Sequence, residues 1–163
     1  KNSPISIKLI VSNNANAKGL NYANNSKINK YIVNFKNKKI SEKNLLKKLI
    51  SYKIKLICLA GFMKILSGDF IKNFAKPILN IHPSLLPKYK GLNTHKRVIK
   101  NKEKYSGSTV HLVNAKLDSG KIILQKKIKI SKNESDVSLE KKILKIEHKL
   151  YPRAIKKFLN SNL

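Results

Sequence analysis

The run Ile78–His82 limits the fold of this chain more than any other stretch. It is short and mostly apolar, and Pro83 ends it, because proline adds no donor to a sheet and restricts the residue before it. The run therefore predicts a buried strand. Asn80 and His82 alternate with apolar residues, so both polar side chains should point to one face at the carboxyl end of that strand. In open α/β sheets, this end is where ligands bind.

Other short apolar runs alternate with helical patterns along the chain. Leu56–Ala60 is continuous and apolar, which predicts a strand covered on both faces. Ser41 is predicted to cap one helix and either Ser135 or Asp136 a long closing helix, with a pair of strands over residues 108–130 between them. The predicted fold class is α/β, a Rossmann-like, mostly parallel sheet with helices on both faces and an antiparallel excursion at that strand pair. We expect one domain over residues 1–163.

The positive charge of the chain is very high. There are 36 Lys+Arg against 8 Asp+Glu, a net charge of +28, which is compatible with a nucleic-acid or membrane-surface partner. However, only Arg97 and Arg153 are arginines, the lysines are spread over every segment, and no basic run alternates with aromatic residues that would stack on bases. We interpret the charge as a solvated surface and predict no specific nucleic acid and no membrane partner. A lysine-rich nucleic-acid-binding protein stays as an alternative.

Cysteine, histidine and hydropathy patterns favour a cytoplasmic protein without a metal. The longest apolar runs are too short to span a bilayer, and no signal-peptide pattern opens the chain. Cys58 is the single cysteine, so it cannot form an internal disulfide. The spacing of the four histidines fits no usual zinc pattern.

An amide, an imidazole and a carboxylate are the candidate chemical groups. Asp118 is one of only eight acids and lies in a Gly-bearing loop between two predicted strands. A histidine at a strand end, such as His82, is as often structural as catalytic, and an Asp before Ser-Gly is usually a turn former. No Gly-x-Ser-x-Gly elbow, P-loop or Gly-x-Gly-x-x-Gly motif occurs. The residues alone therefore leave a proton-transfer site and a structural role both open.

Four segments together resemble one known family. They are NIHPSLLPKY at positions 80–89 with GLNTH at 91–95, LAGFMKILS at 59–67, LDSG at 117–120 with ILQ at 123–125, and EH at 147–148 ahead of YP at 151–152. This combination resembles phosphoribosylglycinamide formyltransferase, a folate-dependent enzyme of purine biosynthesis, over nearly the whole chain. Formyltetrahydrofolate deformylase and methionyl-tRNA formyltransferase share the Asn-x-His motif and a distant Asp and stay as alternatives. The Gly-Leu-x-Thr-His motif favours phosphoribosylglycinamide formyltransferase.

The resemblance implies the formyltransferase fold and transfer of a formyl group from 10-formyltetrahydrofolate to the amine of glycinamide ribonucleotide. Asn80 and His82 would donate to the formyl oxygen, and Asp118 would support the charged imidazole and help to move the proton. Residues of four segments would bind the folate donor: Lys38, Met63, Lys64, Ile65, Leu66, Asn80, Asn114, Ala115, Lys116, Leu117 and Asp118. The residues implied to contact the glycinamide substrate are Gly61, Pro83 and Glu147. These two small molecules are the expected partners, and a homodimer is left open.

The opening of the chain departs from the family's pattern. The family begins with one more strand and a Gly/Ser/Asn-rich loop that holds the substrate phosphate at a helix N-terminus. This chain begins at what resembles the second strand. The resemblance therefore implies an N-terminally truncated fragment, for which activity of the chain alone is a separate question.

Overall fold

The computed structural model describes residues 5–161, which form six strands and five helices. In chain order they are β1 (Leu9–Ser12), α1 (Gly19–Asn25), β2 (Asn29–Ile32), α2 (Lys38–Ser51), β3 (Ile57–Leu59), α3 (Gly68–Phe74), β4 (Ile78–His82), α4 (Thr94–Lys100), β5 (Tyr105–Leu112), β6 (Ile122–Lys129) and α5 (Asp136–Asn160).

The described residues divide into two compact units. The first comprises the residues up to Lys55 together with Lys72–Phe74, and the second comprises Leu56–Ile71 and the residues from Ala75 onward. In the first unit, β1 and β2 form a two-stranded parallel sheet; α1 connects the two strands, and α2 follows β2 in sequence. The single domain expected from the sequence stays a prediction.

Helix α2 begins earlier than the sequence pattern predicts. Its N-cap is Asn37, whose side-chain oxygen accepts a hydrogen bond from the backbone N–H of Ile40 at 3.1 Å. The prediction of Ser41 as the cap is wrong. Ser41 lies in the first turn, is buried, and hydrogen-bonds through its hydroxyl to the carbonyl oxygens of Asn34 and Asn37. Asn and Ser cap helices about equally well, so the pattern alone could not choose between them.

The second unit contains a four-stranded sheet in the order β3-β4-β5-β6. Strands β3 and β4 are parallel, whereas β4–β5 and β5–β6 are antiparallel. Asn80 on β4 lies opposite His111 on β5, and the register of β5 with β6 shifts between Val110 and His111. The α/β class is confirmed, and the antiparallel excursion lies at β5 and β6, as predicted.

Helix α5 packs on the sheet of the second unit and provides much of its core. Ile81 of β4 and Val110 of β5 pack with Leu150 and Ala154 of the helix. Each fully buried aliphatic side chain of this size contributes about 1.5–3 kcal/mol. The hydroxyl of Tyr151 on α5 lies 2.8 Å from the carbonyl oxygen of Leu59 in β3 and 3.0 Å from that of Leu79 in β4. These contacts fix α5 near the carboxyl ends of the parallel pair.

Two expectations about single elements have different outcomes. The N-cap of α5 is Ser135, one of the two predicted caps, and its hydroxyl oxygen accepts a hydrogen bond from the N–H of Ser138 at 3.1 Å. Strand β3, in contrast, is not covered on both faces, because Cys58 is exposed. Within the described residues β3 is an edge strand with β4 as its neighbour, so a continuous apolar run does not guarantee burial here.

Candidate active site

A cavity of about 740 Å³ lies in the second unit where β3 and β4 end. Most of the residues predicted from the sequence as catalytic or binding line this cavity: Gly61, Met63, Lys64, Ile65, Leu66, Asn80, His82, Pro83, Asn114, Ala115, Lys116, Leu117, Asp118 and Glu147. Lys38, the remaining one, is the first residue of α2 in the first unit. The structure thus brings segments together that are up to 86 positions apart, from Gly61 to Glu147, although their individual roles stay predictions.

The carboxylate of Asp118 lies between two imidazoles. Its Oδ2 is 3.4 Å from Nδ1 of His82 and accepts a hydrogen bond from the N–H of Gly91 at 2.8 Å. Its Oδ1 is 3.6 Å from Nε2 of His111, and the side chain is only 9% exposed. One carboxylate therefore faces the imidazoles of β4 and β5 at the same time.

Both ring nitrogens of His82 have partners. Nε2 lies 2.9 Å from the carbonyl oxygen of Tyr89, and because a carbonyl only accepts, Nε2 carries a hydrogen. Nδ1 therefore has a lone pair toward Asp118 in the neutral ring. A hydrogen on Nδ1 would turn this 3.4 Å contact into a charge-assisted hydrogen bond.

His111 is arranged in the opposite way. Its Nδ1 lies 2.8 Å from the carbonyl oxygen of Leu112 and donates to it, which leaves Nε2 as an acceptor for the amide of Asn80 at 3.3 Å. Burial is the main effect on this ring and lowers the pKa of His111, while the charge of Asp118 acts in the opposite direction. A neutral His111 orients the Asn80 amide. Sequence reasoning assigned no role to His111, and its inward alternation on a strand was the only signal.

Close backbone packing holds the loop that carries Asp118. Asp118 itself has a positive φ of 44°. A Cβ on Gly120 would lie 1.8 Å from the carbonyl oxygen of Leu112, so only glycine allows the loop to pass there. Inside the loop, the side chain of Asn114 accepts from the N–H of Lys116 at 3.0 Å and from the hydroxyl of Ser119 at 3.1 Å. The loop geometry therefore fixes the carboxylate against His82.

Glu147 on α5 is connected to the backbone of His82 through Ser108. Ser108 on β5 is fully buried, and its hydroxyl oxygen lies 3.0 Å from the carboxylate of Glu147 and 3.0 Å from the carbonyl oxygen of His82. Burial is the main effect on Glu147 and raises its pKa, partly opposed by the hydrogen bond from Ser108. Sequence reasoning did not find Ser108, because a serine inside a strand carries no signal of its partners.

The wall formed by α4 and α5 adds polar groups that were also missed. The sequence analysis assigned no function to His95, which lines the cavity, and burial lowers the pKa of its imidazole. Asp136 and Glu140 line the same wall, and their charges oppose that shift. In sequence, the rarity of acids marked both positions, and Asp136 was also a candidate cap of α5.

The described residues were searched for metal-binding clusters and for membrane-spanning helices. Among residues 5–161, no group of three or more His, Cys, Asp or Glu side chains is arranged to hold a metal ion. No helix within that part of the chain is long and apolar enough to cross a bilayer. The expected independence from metals stays a prediction.

Comparison with known proteins identifies the class that this fold and site define. The family model described as formyl transferase matches residues 1–155. The chain therefore belongs to the formyl transferase family.

Individual relatives indicate which members of the formyl transferase family this chain resembles. The chain is 41% identical to phosphoribosylglycinamide formyltransferase of Haemophilus influenzae over 98% of its own length and 77% of that protein. It is similar to the crystal structure of phosphoribosylglycinamide formyltransferase from Anaplasma phagocytophilum, with a TM-score of 0.88 and 38% identity over 94% of this chain and 74% of that one. It is also 37% identical to the trifunctional purine biosynthetic protein adenosine-3 of Drosophila melanogaster, of which it spans 12%. Within its family, the chain groups with the phosphoribosylglycinamide formyltransferases, as the sequence resemblance predicted.

Proposed function

We propose that this cavity transfers a formyl group from 10-formyltetrahydrofolate to the amine of glycinamide ribonucleotide, a step of purine biosynthesis. The observation that carries the proposal is the arrangement of Asn80, His82 and Asp118 in one cavity, with the carboxylate 3.4 Å from the imidazole. The names of the relatives supply the substrate, and the chemistry of these three side chains fits acyl transfer to an amine.

Asn80 stabilises the negative charge that develops on the formyl oxygen when the amine attacks. One N–H of its amide is directed to Nε2 of His111, which holds the amide in place and leaves the second N–H for the formyl oxygen. A preorganised donor of this kind contributes about 3 kcal/mol to the rate.

His82 and Asp118 carry out the proton transfer. Asp118 stabilises the imidazolium of His82, which then donates toward the formyl oxygen. Nε2 of His82 is bonded to the carbonyl of Tyr89, so the ring exchanges that partner for the formyl group when the donor binds. Asp118 also accepts the proton of the attacking amine, directly or through water, and passes it toward the leaving nitrogen of the folate.

The residues at the mouth of the cavity fit a flat, partly apolar donor. Met63, Ile65, Leu92 and Leu117 line the cavity and are exposed apolar side chains. Ligand pockets commonly combine such apolar walls with a few polar groups. Lys38, a homodimer and a cytoplasmic location stay as predictions.

Product analysis tests the proposal against its alternatives. The chain is incubated with 10-formyltetrahydrofolate with and without glycinamide ribonucleotide, and folate absorbance, formylated amine and formate are followed. Formylated amine that appears only with the amine present supports the proposal. Formate released at the same rate without the amine indicates a deformylase. No turnover, combined with salt-sensitive binding of nucleic acid, would favour the lysine-rich binding protein.

A further inference from the structure

The loop between β4 and α4, residues 83–93, turns back onto the end of its own strand. Within it, the carbonyl oxygen of Tyr89 lies 2.9 Å from Nε2 of His82. Tyr89 has a positive φ of 56°, in the left-handed region that a bulky side chain seldom adopts. A loop keeps such a backbone conformation only when its surroundings fix it. The contacts that fix this loop therefore decide where the Tyr89 carbonyl lies.

Three residues in a row across the sheet connect this loop to β6. His82 on β4 pairs with Thr109 on β5, and Thr109 pairs with Gln125 on β6. Residues directly opposite each other in neighbouring strands point to the same face of the sheet. Thr109 is fully buried. Neither Thr109 nor Gln125 belongs to the cavity lining formed by the described residues, so neither is in position to touch a ligand there.

Every hydrogen-bonding group of the Thr109 hydroxyl is used. It donates to the carbonyl oxygen of Ser84 at 2.6 Å and accepts from the N–H of Leu86 at 3.2 Å and from the amide of Gln125 at 2.7 Å. The Gln125 amide also donates to the carbonyl oxygen of Leu86 at 3.1 Å. A carbonyl only accepts, so the nitrogen of this amide must face the loop. Leu86 is thus held at both its N–H and its carbonyl oxygen.

Ser84 extends these contacts toward Tyr89. Its side chain is fully buried, and its hydroxyl donates to the carbonyl oxygen of Lys88 at 2.7 Å. A connected series of hydrogen-bonded groups therefore runs from Gln125 to the peptide group that joins Lys88 and Tyr89.

Two acceptors face the imidazole of His82, one at each ring nitrogen. The Tyr89 carbonyl oxygen lies 2.9 Å from Nε2, and the Asp118 carboxylate lies 3.4 Å from Nδ1. A neutral imidazole carries one hydrogen, so only one of these contacts is a hydrogen bond in the neutral ring. If the Tyr89 carbonyl moved away, the hydrogen would be more stable on Nδ1, where the carboxylate accepts it. The position of the Tyr89 carbonyl therefore selects the nitrogen that carries the hydrogen.

We propose that Gln125 is a positioning residue for formyl transfer, which through Thr109 holds the Tyr89 carbonyl against Nε2 of His82 and so keeps the ring hydrogen on that nitrogen. This inference rests on the proposed function, in which Nε2 faces the formyl oxygen. Gln125 ends the ILQ segment at positions 123–125, to which the sequence resemblance attached no role.

Nuclear magnetic resonance of the ring nitrogens tests the inference without turnover. Spectra of the ligand-free protein labelled with ¹⁵N are recorded at about pH 8.5, where an imidazole is ordinarily neutral, and His82→Gln identifies the signals of His82. We expect the hydrogen mainly on Nε2 in the wild type. In Gln125→Met, which keeps the side-chain length but has no donor, the ratio of the Nε2–H to the Nδ1–H form should fall about 3-fold. The same ratio in both proteins would overturn the inference.

Steady-state kinetics tests the consequence for turnover. Gln125→Met and Thr109→Val should each lower kcat by about 3-fold to 10-fold, the size of one lost hydrogen bond, with KM for both substrates nearly unchanged. The reason is that a ring with its hydrogen on Nδ1 has no N–H for the formyl oxygen until it gains a second proton. Thr109→Ser keeps the hydroxyl and should keep the wild-type kcat.

Lys129→Met is the matched control, since Lys129 is exposed on β6, four residues beyond Gln125 and on the same face of the strand. It should match the wild type in both kcat and the ratio of the two ring forms. A wild-type kcat in Gln125→Met, or an equal loss in Lys129→Met, would contradict the positioning role. A wild type without formyl transfer would instead count against the proposed function, whereas the ratio of the ring forms tests Gln125 independently of turnover.

Discussion

His111 shows how a single buried side chain determines the orientation of another. Its Nδ1–H is bonded to the Leu112 carbonyl, so only the lone pair of Nε2 faces the Asn80 amide. His111→Phe keeps an aromatic ring at this position, although a larger one, and removes this acceptor. We expect turnover to fall by about 10-fold, because the amide is no longer held toward the formyl oxygen. Steady-state kinetics at saturating substrates measures this change.

The same variant has a predicted effect on the pH dependence of stability. Because burial lowers the pKa of His111, the unfolded chain binds more protons than the folded protein just below the ordinary value of about 6.5. The wild type therefore loses folding free energy as pH falls through that range, and His111→Phe should lose less. Urea unfolding at two pH values measures the difference. His148→Phe, at an exposed position, is the control and should keep the wild-type pH response.

At the level of residues, the sequence predicts the face to which a side chain points better than it predicts the hydrogen-bond partners of that side chain. The alternation in β4 correctly predicts that Asn80 and His82 share one face, since side chains in a strand alternate with a period of two. The bonds from His82 to Tyr89 and from Asp118 to Gly91 depend on how a loop folds back on the strand end. No local pattern encodes such contacts, so they required the structure.

The loop between β5 and β6 is the element on which the position of Asp118 depends. Gly120→Ala would place a methyl group 1.8 Å from the Leu112 carbonyl oxygen, so the loop must move away from β5. We expect lower turnover, because Asp118 moves with the loop, and a loss of about 1–3 kcal/mol of stability from overpacking. Kinetics and urea unfolding measure the two effects.

Gly19→Ala provides the matched control for that substitution. A Cβ on Gly19 meets no atom within 4 Å, and the residue begins α1. This variant should keep full activity and be neutral or slightly more stable, because alanine has less freedom to lose on folding. If Gly120→Ala behaved like Gly19→Ala, the close approach at Leu112 would not control the loop.

At the level of elements, the presence of a helix or strand was more predictable than its first residue or its burial. The closing helix follows from its apolar stripe and is present, and its cap is Ser135, one of the two candidates that the sequence offered. The start of α2 was wrong because Asn37 competes with Ser41 as a cap. The coverage of β3 was wrong because burial depends on neighbouring elements, which hydropathy along a strand does not report.

The charge of the whole molecule should make its stability sensitive to salt. With a net charge of +28, repulsion among lysines destabilises the compact state. Raising NaCl from about 0.02 M to about 0.3 M shortens the screening length from roughly 20 Å to roughly 6 Å, so Tm should rise by several degrees. Thermal unfolding followed by circular dichroism measures this shift. A Tm that falls with added NaCl would show that attractive ion pairs outweigh the repulsion.

At the scale of the whole chain, the family resemblance predicted more than composition did. Composition and charge left an enzyme and a nucleic-acid binder open, whereas four motifs specified the fold class and the formyltransferase family. These motifs are informative because they lie far apart in sequence yet line one cavity. The concentration of acids in that cavity was not predictable, since it depends on which face of α5 turns inward.

The formyl-transfer rate of Asp118→Asn in a single turnover tests the central claim most directly. Asparagine keeps an oxygen for the Gly91 N–H but removes the charge that faces His82. With both substrates saturating, we expect the chemical step to slow by about 100-fold or more, the usual range for loss of a general acid–base group, with donor affinity nearly unchanged. A variant that transfers the formyl group within about 3-fold of the wild-type rate would contradict the account, because such a small change is far below that range.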